Sequence, residues 1–147
     1  MKSPDLPFTI RDYHGSDLET VADLWWGSWQ SADVNAPVTR DELRDRLAAP
    51  THGSTMHIAR VGGSLAGFVT LSGDRLEQLF VAPEWQNRGI GKLLLDFAKS
   101  RKPEGFRLHA AAESRAVRFY EREGLTRGET GTHSRFGFAI VTFHWQP

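Results

Sequence analysis

The spacing of apolar residues changes period once along this chain, and that change limits the possible folds more than any other feature. Met56–Val61, Leu65–Leu71 and Leu76–Val81 are short apolar runs of strand length. Gly62-Gly63 separates the first two and Ser72-Gly73-Asp74 the second two, both hairpin signals. Strands joined this tightly pair as an antiparallel meander. From Gly89 onward the period becomes helical. Ile90, Leu93, Leu94 and Phe97 fall on one side of a run that stops before Pro103. A strand over Phe106–Ala110, a helix over Ser114–Glu123 ended by Gly124, and strands over Thr126–Thr130 and Phe136–Trp145 follow. Upstream, Phe8-Thr9-Ile10-Arg11 alternates as a first strand. Ser16–Glu19 and Thr39–Glu42 are capping boxes that open two helices, the first carrying Leu18, Val21, Ala22, Trp25 and Trp29 inward. A meander followed by strand–helix–strand–helix predicts an α+β domain, with a mixed, mostly antiparallel sheet and helices on both faces.

Composition narrows the function classes. The chain has 147 residues with no repeat and no linker, which predicts one domain over residues 1–147. It has no cysteine, which excludes a disulfide framework, a thiolate metal site and a cysteine nucleophile. His52 and His57 lack a third ligand at metal spacing, so no metal site is expected. Lysine plus arginine equals aspartate plus glutamate at 18 each, which argues against nucleic acid as the main partner. Within that balance, residues 1–50 are acidic on average and residues 51–147 basic. No apolar run approaches the roughly 20 residues of a membrane helix, and the first residues carry no secretory h-region. The expectation is a soluble cytoplasmic domain.

Chemistry concentrates in Leu79-Phe80-Val81-Ala82-Pro83-Glu84-Trp85-Gln86-Asn87-Arg88-Gly89-Ile90-Gly91-Lys92. A strand ends, a loop turns, and two glycines open a helix. The free N–H groups of such a first turn, with the positive end of the helix dipole, make an anion cradle; Arg88 and Lys92 add formal charge there. A Walker loop fails at Gln86 and Leu93, and a dinucleotide fingerprint fails at Leu94. Gly62–Gly67 misses a nucleophile elbow by one place.

What remains is Gln86-Asn87-Arg88-Gly89-Ile90-Gly91, which resembles the acyl-CoA-binding motif of the GNAT superfamily of N-acetyltransferases. About 30 residues on, Phe119-Tyr120-Glu121-Arg122-Glu123-Gly124-Leu125 resembles its second hallmark. The resemblance implies a GNAT-like sheet with two parallel strands, Leu76–Val81 and Phe106–Ala110, splayed around the cofactor. Backbone groups of Leu79, Phe80 and Val81 would bind the pantetheine of acetyl-CoA. Gln86, Asn87, Arg88, Gly89, Ile90, Gly91 and Lys92 would form the pyrophosphate site. Tyr120 would stand near the sulfur. The family often has Asn seven residues before that tyrosine; here the place is Glu113, with Ser114 beside it.

The acceptor amine, with a pKa near 10 if lysine-like, must lose a proton before attacking the thioester. Tyr120 is the candidate acid toward the departing thiolate. Glu77, placed by alternation on one face with Leu79 and Val81, is a candidate base, with His109 or a water alone as the alternatives. His109, on the opposing strand, and Trp26, beside the core stripe of its helix, are candidate acceptor-side residues. Asp33, Asp41 and Glu42 are acidic groups that would attract a cation, and Arg115, Arg118 and Arg122 read as a solvated helix face. The leading expectation is an acetyl-CoA-dependent N-acetyltransferase acting on a small-molecule primary amine. The alternatives are a peptide or protein amine, a non-catalytic acyl-CoA-binding module, and a nucleotide-binding protein of another class. A homodimer through the last strands is compatible with the resemblance.

Overall fold

Residues 8–32 and 37–147 are described by the computed structural model; the expectation for Asp33 lies outside them. Seven strands form one sheet: β1 (Phe8–Asp12), β2 (Thr55–Val61), β3 (Ser64–Ser72), β4 (Arg75–Val81), β5 (Phe106–Ala111), β6 (Thr126–Thr132) and β7 (Ala139–Trp145). Their spatial order is β1-β2-β3-β4-β5-β7-β6. Neighbours are antiparallel except β4 and β5, which run parallel. Four helices cover the sheet: α1 (Leu18–Ser31), α2 (Arg40–Ala48), α3 (Ile90–Arg101) and α4 (Arg115–Arg122). This is the mixed, mostly antiparallel architecture that the change of period predicts.

The meander forms because its turns are two residues long. Val61 pairs with Ser64 across Gly62-Gly63, where Gly62 has φ 60°, and Ser72 pairs with Arg75 across Gly73-Asp74, where Gly73 has φ 57°. Each face of the sheet then buries its own core. On one face α3 and α4 cover Val69, Leu71, Leu76, Leu108, Val141 and Phe143. On the other, α1 and α2 cover Ile58, Phe68 and Ala82 with Val21, Trp25, Leu43 and Leu47. The α4 helix stops at Gly124 (φ 92°), where Leu125 N–H reaches back to the Tyr120 carbonyl at 3.0 Å. That return bond fixes the end of the helix carrying the tyrosine.

Two local expectations need correction. Ser16–Glu19 does not close a capping box: the Asp17 carboxylate is taken by the Arg11 guanidinium (3.0 Å to each oxygen) and by His14 N–H (2.8 Å). A bidentate charged pair outcompetes a neutral cap. The second box forms on its threonine side, Thr39 Oγ1 accepting from Glu42 N–H at 3.2 Å. The last strand begins at Ala139, not Phe136, because Phe136 and Phe138 turn onto Trp29 of α1, with ring centroids at 6.4 and 5.9 Å.

Candidate active site

Between β4 and β5 the sheet opens. The two strands share one aligned pair, Arg75 with Arg107, fixed by Arg107 N–H donating to the Asp74 carbonyl at 2.9 Å. Beyond it they splay and pair no further among the described residues. Alternation decides which groups of β4 face the gap. Ala82 N–H donates to Ala66 of β3 at 2.8 Å, so Phe80 and Ala82 turn their backbone to β3 and Leu79 and Val81 turn theirs to the opening. Gln86 Nε2 donates to the Val81 carbonyl at 3.2 Å. Leu79 N–H, Leu79 C=O and Val81 N–H therefore line an unpaired strand edge, able to receive an extended amide chain. Phe80, expected at that edge, serves the fold instead: its ring lies 5.8 Å from Phe68 and 5.4 Å from Trp25.

The gap has different chemistry on its two faces. Leu79 and Val81 pack toward α3 and α4, and Tyr120 is buried in that same core. Its ring packs between Phe119 (5.2 Å) and Phe143 (5.6 Å), and burial alone pushes its phenol well above the usual range. An unpartnered buried phenol holds its proton and has a hydrogen bond to give. Glu77 lies on the other face, which corrects the expectation that it shares a side with Leu79 and Val81. The register slips between Thr70 and Leu71, so that Thr70 pairs with Gln78 and Leu71 with Leu76. Glu77 is the extra residue of a β-bulge, and a bulge resets the alternation. Its side chain lines a cavity of about 90 Å³ with Trp25, Arg46, Met56, Thr70 and Gln78. Trp25 Nε1 and Thr70 Oγ1 are buried there without a hydrogen-bond partner among the described residues.

His109 shares the Glu77 face, since Phe106, Leu108 and Ala110 point into the α3–α4 core. Burial first, then Arg75 and Arg107, lower its pKa, so it is neutral and able to accept a proton near pH 7. Trp26 is half-buried against the core under α1 and α2. A wall that the sequence did not announce stands beside Trp29. His133, Phe136 and Phe138 stack together (5.1 and 4.7 Å from the imidazole), and His133 Nδ1 accepts from the N–H groups of Arg135 and Phe136, each at 3.1 Å. Those two bonds hold the ring neutral with its proton on Nε2. Arg135 clamps the Glu42 carboxylate at 2.6 and 2.9 Å, so Glu42 is committed within the protein and not left to attract a cation.

At the far end of β4 the chain turns through Pro83–Trp85 into α3. Asn87 (φ 63°) and Gly89 (φ 87°) take left-handed conformations, and the first helical bond runs from Leu93 N–H to Gly89 C=O at 3.1 Å. The N–H groups of Ile90, Gly91 and Lys92 precede it and are free for an anion. Arg88 lies exposed over the Trp85 ring at 5.3 Å. Lys92 does not add its charge to the cradle as expected, because its ammonium is held by Asp96 and Glu123, each at 3.3 Å. Arg115, read as a solvated face residue, donates to Gln86 Oε1 (3.0 Å) and the Ser31 carbonyl (3.1 Å). Ser114 Oγ donates to the Ala111 carbonyl at 2.8 Å, and Glu113 is exposed.

Residues 28–143 match the family model described as an acetyltransferase (GNAT) domain. The chain belongs to the GNAT superfamily of N-acetyltransferases. Its curated relatives include the peptidyl-lysine N-acetyltransferase YiaC of Escherichia coli, 30% identical over 119 residues that cover 79% of this chain and 82% of the relative. Another is the peptidyl-lysine N-acetyltransferase YjaB of the same organism, 34% identical over 117 residues, covering 78% and 79%. Among solved structures, a GCN5-related N-acetyltransferase from Rhodopseudomonas palustris superposes with a TM-score of 0.83 at 21% identity, covering 100% of this chain and 99% of the other. The PaiA N-acetyltransferase of Thermoplasma acidophilum, solved with coenzyme A, gives 0.72 at 19%, covering 95% and 100%.

The residues of this GNAT domain fit an acyl-CoA on their own geometry. They offer an unpaired strand edge for amides, a helix start for phosphates and, in the core that Leu79 and Val81 pack against, a phenol without a hydrogen-bond partner among the described residues. Gly89→Ala tests the middle element. No atom lies within 4 Å of the added methyl, so its effect comes through φ 87°, which costs a non-glycine residue about 1–2 kcal/mol. Relaxing that strain rotates the cradle N–H groups, and acetyl-CoA affinity is expected to fall about tenfold, read by calorimetry.

Proposed function

We propose that this protein transfers an acetyl group from acetyl-CoA to the ε-amine of a lysine side chain by direct attack, without a covalent enzyme intermediate. The observation that supports this most is the gap itself: β4 and β5 unpaired beyond Arg75–Arg107, with Tyr120 on one face of the sheet and Glu77 and His109 on the other. An acid and a base at one opening suit a reaction in which the amine adds to the thioester carbonyl after losing a proton and the tetrahedral adduct then expels a thiolate that takes one up. The thioester supplies the acetyl group when bound. Leu79 and Val81 would orient the pantetheine, and Val81 N–H would polarise the thioester oxygen. The N–H groups from Asn87 to Lys92 would hold the pyrophosphate. Glu77 would take the ammonium proton directly or through water, and Tyr120 would donate to the departing sulfur. The relatives YiaC and YjaB, both peptidyl-lysine N-acetyltransferases, favour a lysine of a peptide over the small-molecule amine expected from the sequence.

The test is release of CoA thiol with lysine peptides, with free polyamines and amino acids as comparison acceptors. Turnover is expected with peptides, and Glu77→Gln should lower kcat about 100-fold with KM for acetyl-CoA unchanged, while His109→Gln should change kcat less than about threefold. Binding of acetyl-CoA with no acceptor turned over would instead make the protein an acyl-CoA-binding module. Equal stabilisation by ATP or a nicotinamide dinucleotide would overturn the donor.

A further inference from the structure

At the apex of the splay, Arg75 of β4 and Arg107 of β5 are direct cross-strand partners, and both are exposed. Like charges placed opposite each other weaken a sheet, so the pair is a local cost of the fold. The nearest carboxylate to Arg107 is that of Asp74 at 3.8 Å, and Arg75 has no ion pair among the described residues. Alternation along β5 puts Arg107 on the face that carries His109, the face of the Glu77 cavity. Arg46 reaches the same cavity from α2. It lies over the Trp25 ring at 5.8 Å and forms no ion pair among the described residues. The Arg46 guanidinium is also a positive neighbour of His133. Against them stand Glu77, Asp74 and Glu129, and Glu129 is paired with His144 at 3.3 Å.

From this arrangement we infer that the acceptor lysine is presented in an acidic peptide segment, whose flanking carboxylates are held by Arg75, Arg107 and Arg46. The inference rests on the lysine reading above and specifies what surrounds that lysine. A bare polyamine brings only positive charge and is repelled by this rim. A lysine between Asp or Glu residues gives the one cation to the Glu77 cavity and its anions to the three guanidiniums. An exposed pair contributes modestly, and two or three together give about tenfold.

The experiment compares kcat/KM for peptides identical except that the residues flanking one lysine are Asp/Glu, Ser/Gln or Lys/Arg. The acidic peptide should be preferred about tenfold over the neutral one at low salt. The preference should shrink severalfold near 1 M salt, where the Debye length falls to about 3 Å. In Arg75→Gln/Arg107→Gln, kcat/KM for the acidic peptide should drop to about that for the neutral one. The same variant should keep its thermal shift with acetyl-CoA, which shows that it folds and loads the donor. Equal use of acidic and neutral peptides, or a preference that survives in the double variant, overturns the inference while leaving lysine acetylation standing. Free anionic amino acids used better than any peptide overturn the peptide as occupant. Acetyl-CoA binding with no lysine peptide turned over overturns the underlying lysine reading instead.

Discussion

Tyr120→Phe lowers kcat about 1000-fold and leaves KM for acetyl-CoA within about twofold, as expected for an interaction made only as the thiolate departs. That factor corresponds to about 4 kcal/mol of barrier. The residue is 6% exposed, and burial is the cause of its raised pKa. Burial raises the affinity of both the phenolate and the departing thiolate for a proton. In the proposed reaction the hydroxyl would act by holding a hydrogen bond on the sulfur as charge builds, and full transfer need not run ahead of bond cleavage. Because its pKa is shifted upward, Tyr120 keeps its proton through the mildly alkaline range, and any loss of rate from its ionisation falls above about pH 10. The hydroxyl has no partner to orphan, so the variant should melt within a few degrees of the parent. Pre-steady-state acetyl transfer checks the expectation; a kcat within threefold of the parent would remove the tyrosine from the chemistry.

Phe68→Ala has the largest expected effect on the fold. The ring is 0% exposed, 5.7 Å from Trp25 and 5.8 Å from Phe80, and joins the α1 layer to β3 and β4. Its removal leaves a cavity that those two aromatic rings cannot collapse into without moving β4. The loss should be about 3–5 kcal/mol, a large part of the 5–15 kcal/mol typical of a domain. The melting temperature should fall by about 10–20 °C. Phe68→Leu keeps part of the volume and should fall between. Scanning calorimetry with and without acetyl-CoA separates stability from site damage. Because Phe80 is the neighbour of Leu79 and Val81, the alanine variant should also bind the donor less tightly at temperatures where it is folded.

Much of this was readable before any coordinates. The meander, the helix after Gly89 and the glycine end of α4 follow from period and turn chemistry, which are local. Tyr120 was found by the distance between two motifs, not by its own surroundings. What escaped reading is what distant residues decide. The bulge at Glu77 lets Leu76 and Leu79, three residues apart, face the same core, a spacing that strict alternation from Glu77 to Leu79 and Val81 does not accommodate, so the alternation reading puts that glutamate on the wrong face. Lys92 was placed in the cradle because nothing near it in sequence reveals Glu123. Phe136 and Phe138 have strand spacing, yet Trp29 and His133 offer them an aromatic wall that outweighs three more ladder positions. The Arg75–Arg107 pair required knowing which strands are neighbours.

The Gln86 amide joins three distant parts of the chain, donating to Val81 C=O and Ser31 Oγ and accepting from Arg115. A single side chain thereby ties the end of the β4 edge to both helix layers, so a change at Ser31 or Arg115 is felt at the Val81 carbonyl without touching any residue of the cradle.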